Sequence, residues 1–461
     1  MANAFPVCHA PGTGTRGRGY RVILGRYIAK IGNSSPNIDN INWATHNGIR
    51  GKEAIPMYIS REVEATIDSC LKQGKVVLVT GARQVGKTTV LKQHLGDAFH
   101  YVSLENPAEF ATAKQDSVLF FEEHELPLII DEVQRVPELF SPIKWQVDQS
   151  DAKGQVILTG SQTYQLMKGV SESLAGRIRI IEMPPLSLRE MLGRAKTPHK
   201  HLPHVISEND LPQLPEGFDL WAAIHRGSMP ELQDPEIDWD GFYSDYEAAY
   251  LERDVRDLIN VKDEAKFYNF MVACAARTGQ LLNTSDIANA IDVDHKTVSA
   301  WLSILQASNV IRIVEPFWPN IGKSLTKTPK IFFMDTGLVC HLTRWTTPEQ
   351  LRRGAIAGHV FETFVASEVL KSFMNAGANM RDVWFYRDSK KREIDLVIQD
   401  GRTLHPIEVK TSGLVKADAV KNFKCLEGFQ DYEVGFGQVI CQTSEPYMVA
   451  RDVQAVPAWA I

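Results

Sequence analysis

Three short apolar runs stand out in the hydrophobic pattern of the first half of the chain, and each gives way to small or polar residues. They are Val76–Val79, Leu126–Asp131 and Gln155–Gly160. Runs of this length, rich in Val, Ile and Leu, are typical of strands buried in a parallel sheet. Thr89–Leu95, which follows the first run, can continue as a helix. The pattern therefore predicts an α/β domain built on a parallel sheet.

Farther along the chain the pattern changes to two short helices followed by a pair of strands. The first helix, Ser285–Ile291, opens with a capping residue, and the second, Lys296–Ala307, places its apolar residues on one face. A strand, a loop that carries prolines and lysines, and a returning strand follow at Val310–Val314, Phe317–Pro329 and Ile331–Met334. This order of elements predicts a winged helix-turn-helix.

The polar side chains of this predicted unit suit phosphate contacts better than base recognition. The second helix offers His295, Lys296, Ser299 and Ser303. The loop and its flank add Lys323, Lys327 and Lys330. Lysine contacts phosphates, whereas sequence is recognised by side chains that pair with base edges. DNA is therefore a candidate partner, and a packing or non-specific role is the alternative.

The most specific motif of the chain lies directly after the first strand. Residues 81–88 match G-x-x-x-x-G-K-[ST] at every position and predict a phosphate-binding loop. The loop comprises Gly81, Ala82, Arg83, Gln84, Val85, Gly86, Lys87 and Thr88, and Thr89 follows it. Its glycines let successive N–H groups point at phosphate oxygens, and the following helix N-terminus adds partial positive charge. We predict an ATP site in which Lys87 contacts the β- and γ-phosphates and the Thr88 hydroxyl ligates Mg²⁺.

The second strand supplies acidic residues where this chemistry needs them. Asp131 ends the strand and Glu132 follows it, about 40 residues after the phosphate-binding loop. At that edge Asp131 is expected to hold Mg²⁺ through its water shell, and Glu132 to polarise the attacking water. Ser161 after the third strand is a candidate sensor of the γ-phosphate, although a plain strand-to-loop turn explains it equally well. Arg177 either stabilises γ-phosphate charge or pairs with a surface carboxylate.

Four of these stretches together resemble the AAA-type ATPases of prokaryotes that carry a C-terminal domain of unknown function, DUF4143. The stretches are GARQVGKTT, LPLIIDEVQRVP, ILTGSQ and LAGR, the last followed by Pro184–Glu190. The resemblance covers about residues 57–440 and implies an AAA+/P-loop core, with Ser161 as sensor and Arg177 as arginine finger. Gln162 stands where the family usually has a second serine, so the sensor falls to Ser161 alone. Gly227–Glu231 and Tyr250–Asp254 resemble stretches of the family's helical lid.

Near the C-terminus, charged residues lie on a predicted helix and on predicted strands. A charged residue in a buried strand usually has a functional or ion-pairing role. Glu362 lies on a predicted helix, and Asp395 lies on a strand with its side chain opposite those of its apolar neighbours. Glu408 and Lys410 share one face of the next strand. A salt-bridged edge of an α/β sheet is one explanation of this pattern.

The same ordered series resembles the core of the PD-(D/E)xK nucleases. The resemblance implies that Asp395 and Glu408 hold Mg²⁺, that Lys410 orients and activates water, and that Glu362 acts through the outer shell. It indicates a restriction-endonuclease-like fold, and it leaves open whether the domain cuts nucleic acid.

A histidine-bearing segment separates the ATPase motifs from the winged helix-turn-helix. The segment 195–214 is rich in Pro, His and Lys and is predicted to be a surface loop. Its histidines are His199, His201 and His204, and His225 follows later. Their irregular spacing favours a solvated loop over a metal site.

Composition narrows the class of protein. The chain has 461 residues, a net charge of −6 and six scattered cysteines without a C-x-x-C pair, which suits reduced thiols in the cytoplasm. No apolar run approaches a membrane span, so a membrane partner is not expected. Met1–Arg50 is rich in Gly, Asn, Ser and Arg and is expected to be disordered, so that translation from Met57 would lose nothing the fold needs.

These inferences divide the chain into five segments. Residues 1–56 form a disordered or spurious extension, 57–194 the P-loop AAA+ domain, 195–262 a loop and helical lid, 263–345 the winged helix-turn-helix, and 346–461 the nuclease-like domain. The predicted function is ATP hydrolysis coupled to nucleic-acid engagement, with homo-oligomerisation a candidate property. The alternative is a nucleotide-switched interaction or signalling ATPase whose C-terminal domain has no catalytic role.

Overall fold

The computed structural model describes residues 58–161, 173–195, 198–250, 264–317 and 328–461. The predicted N-terminal extension and the start at Met57 lie outside these residues. So do Gln162, the end of the predicted lid stretch at 251–254, and the loop lysines Lys323 and Lys327.

A five-stranded sheet forms the first module, and all of its strand pairs are parallel. Its order is β2-β3-β4-β1-β5. The strands are β1 Val76–Thr80, β2 His100–Ser103, β3 Leu128–Asp131, β4 Val156–Gly160 and β5 Ile178–Glu182. Every residue of β1, β3 and β4 is buried, as expected for strands covered on both faces. The predicted α/β domain with a parallel sheet is confirmed.

Helices cover this sheet, and their first residues follow local capping rules. They are α1 Val63–Gln73, α2 Lys87–Leu95, α3 Pro107–Gln115, α4 Ser117–Glu123 and α5 Phe140–Asp148. The side chain of Asn106 caps α3, which has proline at its first position, and Asp116 caps α4. Because the strands are parallel, the loops after β1, β3 and β4 all emerge at one edge of the sheet.

The middle of the chain combines further helices with a small antiparallel sheet. The helices here are α6 Leu188–Met191, α7 Leu220–Arg226, α8 Trp239–Tyr250, α9 Glu264–Ala275, α10 Thr284–Ile291 and α11 His295–Ala307. The strands are β6 Gln280–Leu281, β7 Ile311–Val314 and β8 Lys330–Phe333, in the order β6-β8-β7. Two more helices, α12 Thr336–Leu342 and α13 Pro348–Arg353, lead to the C-terminal module.

The C-terminal module begins with a long buried helix, α14 Ala357–Asn375, and continues as a mixed sheet. The strands are β9 Val383–Arg387, β10 Glu393–Asp400, β11 Thr403–Val409, β12 Glu433–Val434, β13 Gly437–Cys441, β14 Tyr447–Ala450 and β15 Val453–Pro457. Their order is β14-β15-β13-β11-β10-β9, with β12 paired to β11. In β10, Asp395 alternates with buried Ile394 and Leu396, as predicted.

The modules predicted as separate domains share one hydrophobic cluster, which runs from α1 through α8 and α11 to α14 and β11. Polar contacts join them as well. The Thr66 hydroxyl donates to the Asn375 carbonyl over 2.6 Å, and the Leu188 N–H donates to Glu368 over 2.7 Å. The Lys371 ammonium donates to the Leu186 carbonyl over 2.9 Å. Helix α14 therefore packs directly against the ATPase-like module.

Two further findings concern membrane-spanning helices and the cysteines. No helix in the described ranges is at once long enough and apolar enough to cross a membrane. Cys70, Cys274, Cys340, Cys425 and Cys441 are all free thiols.

The segment after α6 lies against the C-terminal module, so the prediction of a solvated loop is wrong for His201 and Ile206, which are buried, whereas His204 is exposed. His201 is buried, and its backbone N–H donates to the Ser372 hydroxyl over 3.0 Å. Ile206 exchanges two hydrogen bonds with the side chain of Gln454, of 2.9 and 2.8 Å. Apolar Leu202 and Ile206, interspersed among the polar residues, explain the docking. Burial lowers the pKa of His201 to about 3 and that of His199 to about 4, so both imidazoles are neutral.

Acidification is expected to destabilise the protein through His201. The unfolded chain, with an ordinary histidine pKa of about 6.5, takes up a proton that the folded chain cannot accommodate. The stabilising contribution is complete above that value and is lost as the pH falls towards about 3. At about pH 5 the loss from this one group amounts to about 2 kcal/mol.

The measurement is urea denaturation between about pH 7 and pH 5 for the wild type and for His201→Gln. The variant should show a flatter dependence of unfolding free energy on pH. His204→Gln, at an exposed position of the same segment, is the matched control and should follow the wild type. A dependence that His201→Gln leaves unchanged would contradict the assignment.

Candidate functional site

The predicted phosphate-binding loop curls at the carboxyl end of β1 in the way that a phosphate cradle requires. Gln84 and Gly86 have positive φ angles of 58° and 88°, which turn the backbone before α2 begins at Lys87. A Cβ at Gly81 would lie 2.2 Å from the Met183 carbonyl oxygen, so only glycine fits where the loop passes the end of β5. The loop thus leads into the N-terminus of α2, where the first backbone N–H groups of a helix favour an anion.

The structure brings Lys87 and Thr88 to the edge of the sheet at which β3 ends in Asp131. The buried Lys87 ammonium donates to the carbonyls of Gly81 and Ala82 over 3.1 and 2.8 Å. The Thr88 hydroxyl donates to the two carboxylate oxygens of Asp131 over 2.9 and 3.1 Å. The loop and the acidic end of β3 are thus already in contact at the position predicted for Mg²⁺.

Glu132 has an unusual backbone that aims its side chain at this edge. Its φ of 59° is left-handed, and its N–H donates to the Thr159 hydroxyl over 3.2 Å. Its carboxylate accepts a hydrogen bond from the Gln134 side chain. Burial raises the pKa of Glu132, with a smaller opposing effect from the Lys87 ammonium. A raised pKa makes a carboxylate a stronger base.

Three residues at this edge were missed by sequence reasoning. The Thr159 hydroxyl contacts the Asp131 carboxylate, the Tyr101 hydroxyl donates to it over 2.7 Å, and Gln134 holds Glu132. The parallel register does place Ser103 beside Asp131 and aligns β4 with β3. Polar residues near the ends of buried strands were therefore the available signal.

Ser161 and Arg177 do not meet at this site. Ser161 follows β4 at the loop's edge of the sheet and is buried, and its hydroxyl has no hydrogen-bond partner within the described ranges. Arg177 instead precedes β5, at the opposite edge of the sheet, where it pairs with Asp148 over 2.7 Å. Val76, the first residue of β1, lies beside Ile178 in the register, so the full length of β1 separates Arg177 from the loop. Arg177 therefore cannot reach a nucleotide bound by its own chain, and the surface-carboxylate alternative describes it.

A buried arginine outside the motif braces the loop. Arg61 donates to the carbonyls of Val85 and Pro184, each over 2.7 Å, and to the Glu190 carboxylate over 3.0 Å. Glu190 also closes a capping box with Ser187 at the start of α6. Because Arg61 and Glu190 are 129 residues apart, no local pattern pointed to the pair.

The residues present fit Mg²⁺ and ATP. The loop supplies N–H donors and the Lys87 ammonium, and Thr88 and Asp131 supply the oxygen ligands that Mg²⁺ prefers. The buried hydroxyl of Ser161, without a partner in the described structure, is a further polar group at the same edge.

The C-terminal module holds a second cluster of charged residues, but its membership differs from the prediction. Carboxylate oxygens of Glu362, Glu393 and Asp395 lie within 4.8 Å of one another. Lys330 from β8 enters among them, with its Nζ 2.7 Å from Glu362, 2.6 Å from Glu393 and 3.9 Å from Asp395. Lys330 is buried, so the expectation that it contacts phosphates is wrong. No local pattern indicated that these modules meet here.

Glu408 and Lys410 lie beside this acidic cluster and pair with each other over 2.6 Å. The β10–β11 register sets Leu396 opposite Ile407, which continues to Asp395 opposite Glu408, on one face of the sheet. Burial raises the pKa of Glu408 to about 7, and burial also raises that of Glu362 to about 8. Asp395 accepts the Val409 N–H over 2.8 Å.

The arrangement does not fit the predicted Mg²⁺ ion as it stands. The ammonium of Lys330 occupies hydrogen-bonding positions on Glu362 and Glu393, two of the three clustered carboxylates, and Glu408 is engaged by Lys410. Burial alone would lower the pKa of Lys330, but the carboxylates of Glu362, Asp395 and Glu393 outweigh it and raise it.

Comparison with known families follows the same division of the chain. Residues 73–192 match the model of an AAA domain, and residues 357–461 match a domain of unknown function, DUF4143. The chain thus contains an AAA domain and a C-terminal DUF4143 domain. Between these two domains, residues 217–349 match another domain of unknown function, DUF8612.

Similar proteins come from several bacteria. Uncharacterised proteins of Mycobacterium bovis and Mycobacterium tuberculosis are each 28% identical over 354 residues, which cover 76% of this chain and 73% of theirs. An uncharacterised protein of Haemophilus influenzae is 22% identical over 324 residues, covering 64% of this chain and 74% of its own.

Similar solved structures include a Walker-type ATPase of Pyrococcus abyssi and a RuvB variant of Thermotoga maritima. The first is 15% identical, covers 62% of this chain and 96% of that one, and has a TM-score of 0.36. The second is 16% identical, covers 55% of this chain and 89% of that one, and has a TM-score of 0.28.

Arg61→Met is expected to destabilise the protein, because it leaves the Glu190 carboxylate buried without its cation. Loss of one partner of a buried pair costs about 3–5 kcal/mol, which urea denaturation measures. Arg177→Met is the matched control, since its pair with Asp148 is exposed, and its unfolding midpoint should equal that of the wild type. Equal midpoints for the two variants would show that Arg61 does not brace the loop.

Proposed function

We propose that the chain is a Mg²⁺-dependent ATP hydrolase. The observation that carries the proposal is the contact between the Thr88 hydroxyl and the Asp131 carboxylate, with Lys87 in the adjoining loop. These are the groups that a bound metal and a terminal phosphate require, and they converge at the edge of the sheet where the helix N-terminus also points.

Each residue has a distinct part in this proposal. The loop N–H groups and Lys87 bind the phosphates, and Thr88 and Asp131 hold Mg²⁺, which neutralises charge on the phosphate oxygens. Glu132 polarises the attacking water, a part favoured by its raised pKa. The Gln134 side chain donates a hydrogen bond to the Glu132 carboxylate and so helps to position it.

A chain of buried contacts supports transmission from the nucleotide to the DUF4143 domain. Val85 in the loop is held by Arg61, and Arg61 is held by Glu190. Glu190 caps α6, whose first N–H, on Leu188, donates to Glu368 on α14. A shift of the loop on binding ATP would act on each of these contacts, so the C-terminal domain is the proposed output.

We further propose that the protein contacts nucleic acid through its middle module. Helices α9 to α11 with the β6-β8-β7 sheet have the order of elements of a winged helix-turn-helix. On α11 the side chains of His295, Lys296, Ser299 and Ser303 are exposed, and Lys296 brings the one positive charge among them. This set favours weak, non-specific phosphate contact. The alternative of a nucleotide-switched interaction protein with a non-catalytic C-terminal domain is favoured by the cation that Lys330 places in the acidic cluster.

The ATPase proposal predicts opposite effects of two substitutions. Lys87→Ala should abolish tight ATP binding, because the phosphates lose their buried cation. Glu132→Gln should retain binding and reduce turnover by a factor of about 100 or more, because the water is no longer polarised. Nucleotide binding by calorimetry and phosphate release measure the two effects.

Lys153→Ala, at an exposed lysine near the opposite edge of the sheet, is the control and should match the wild type in both assays. Wild-type turnover in both Lys87→Ala and Glu132→Gln would remove the basis for the proposed function.

The nucleic-acid proposal predicts that double-stranded DNA raises ATP turnover several-fold at low salt, and that exchanging ATP for ADP changes DNA affinity. Lys296→Glu should weaken DNA binding and reduce its salt dependence by about one counterion. Lys72→Glu, at an exposed position of α1, is the charge-matched control. Turnover and affinity that are insensitive to DNA would favour the interaction-protein alternative.

A further inference from the structure

The acidic cluster of the DUF4143 domain, defined as Glu362, Glu393 and Asp395, contains a cation that belongs to another part of the chain. Glu393 and Asp395 lie on β10 and Glu362 lies on α14, whereas Lys330 begins β8 of the middle sheet. The Lys330 side chain is 2% exposed. A buried lysine with two carboxylate oxygens within 2.7 Å acts as the counter-ion of the cluster.

The carboxylates differ in how far the rest of the protein satisfies them. Glu393 is also paired with Arg387, and Asp395 accepts the Val409 N–H. Glu362 depends on Lys330. Next to them, Glu408 is 8% exposed, and its Oε2 has no hydrogen-bond partner among the described residues. A buried carboxylate oxygen without a partner is costly, and such a group beside three others indicates a site for a cation.

We propose that the acidic cluster is a divalent-cation site that Lys330 closes. While Lys330 is in place the cluster binds no metal. When its ammonium is absent, Glu362, Glu393 and Asp395, together with the free oxygen of Glu408, bind one ion of the Mg²⁺ or Mn²⁺ class. The proposal concerns the cluster alone and does not depend on ATP hydrolysis.

Steric and electrostatic reasons make the two occupants exclusive. A Mg²⁺ or Mn²⁺ ion needs carboxylate oxygens at about 2.0–2.2 Å. The Lys330 Nζ lies 2.7 and 2.6 Å from oxygens of Glu362 and Glu393, so an ion on the same oxygens would stand in contact with the ammonium. The ammonium and the metal ion, both positive and in contact within a buried site, would repel each other strongly.

The experiment uses the full chain without nucleotide and titrates Mn²⁺, with the free ion followed by electron paramagnetic resonance. Lys330→Met should bind one equivalent of Mn²⁺ beyond the wild type, at least tenfold more tightly than any wild-type binding at the cluster. The double variant Lys330→Met with Asp395→Asn should lose that equivalent. Lys330→Arg keeps the positive charge and should resemble the wild type.

Two results would overturn the proposal. One is a wild-type equivalent of Mn²⁺ that Asp395→Asn removes, since the cluster would then be open with Lys330 present. This arm does not depend on whether Lys330→Met folds. The other is a folded Lys330→Met protein, verified by circular dichroism, that gains no Mn²⁺.

If Lys330→Met does not fold, Lys330→Met with Glu362→Gln removes one carboxylate together with the cation. This variant keeps Glu393, Asp395 and Glu408 as ligands. Mn²⁺ should raise its melting temperature by several degrees and leave that of the wild type unchanged. A melting temperature that Mn²⁺ does not change in a folded form of this variant would likewise count against the site.

Discussion

The buried ion pair between Arg61 and Glu190 is the interaction on which most of the structure depends. One guanidinium holds the phosphate-binding loop at Val85, the segment after β5 at Pro184 and the capping carboxylate of α6. A buried charge needs such complete hydrogen bonding to be tolerated at all. All three contacts of the Arg61 guanidinium are made only when the three segments are in place together. The loop, the sheet edge and α6 therefore form a single cooperative unit.

A second buried hub joins the middle of the chain in the same way. The Asp335 carboxylate accepts from the Ser228 N–H over 2.7 Å, from the Tyr243 hydroxyl over 2.6 Å and from the Leu338 N–H over 3.1 Å. It therefore caps α12 and fixes the stretch 227–231 against α8. Pro230 of that stretch is the nearest side chain to the position of a Cβ on Gly86, at 3.8 Å. Residues far along the chain from the phosphate-binding loop thus determine its surroundings.

The difference between what sequence could and could not predict follows from the range of the interactions. The strands β1, β3 and β4, the loop at residues 81–88, and Asp131 with Glu132 depend on local pattern and on parallel strands sharing an edge, so they could be predicted. Arg61 with Glu190, and Lys330 with Glu362, depend on contacts between distant segments. From polarity alone, Lys330 and His201 were expected to be exposed to solvent. Both are buried, because their segments pack against another module. The motif LAGR led us to expect Arg177 at the nucleotide, whereas the register of β1 and β5 puts it at the opposite edge of the sheet.

Two buried lysines illustrate how partners decide what a cation can do. Lys87 donates to the neutral carbonyls of Gly81 and Ala82, and its charge also acts on the Glu132 carboxylate. Lys330 donates to ionisable carboxyl groups, and their charge raises its pKa. Lys330 is therefore held as the counter-ion of the acidic cluster. Lys330 begins β8, and the chain continues from β8 through Asp335 into α12, so the hub at Asp335 and the cation in the acidic cluster lie on one continuous segment of the middle module.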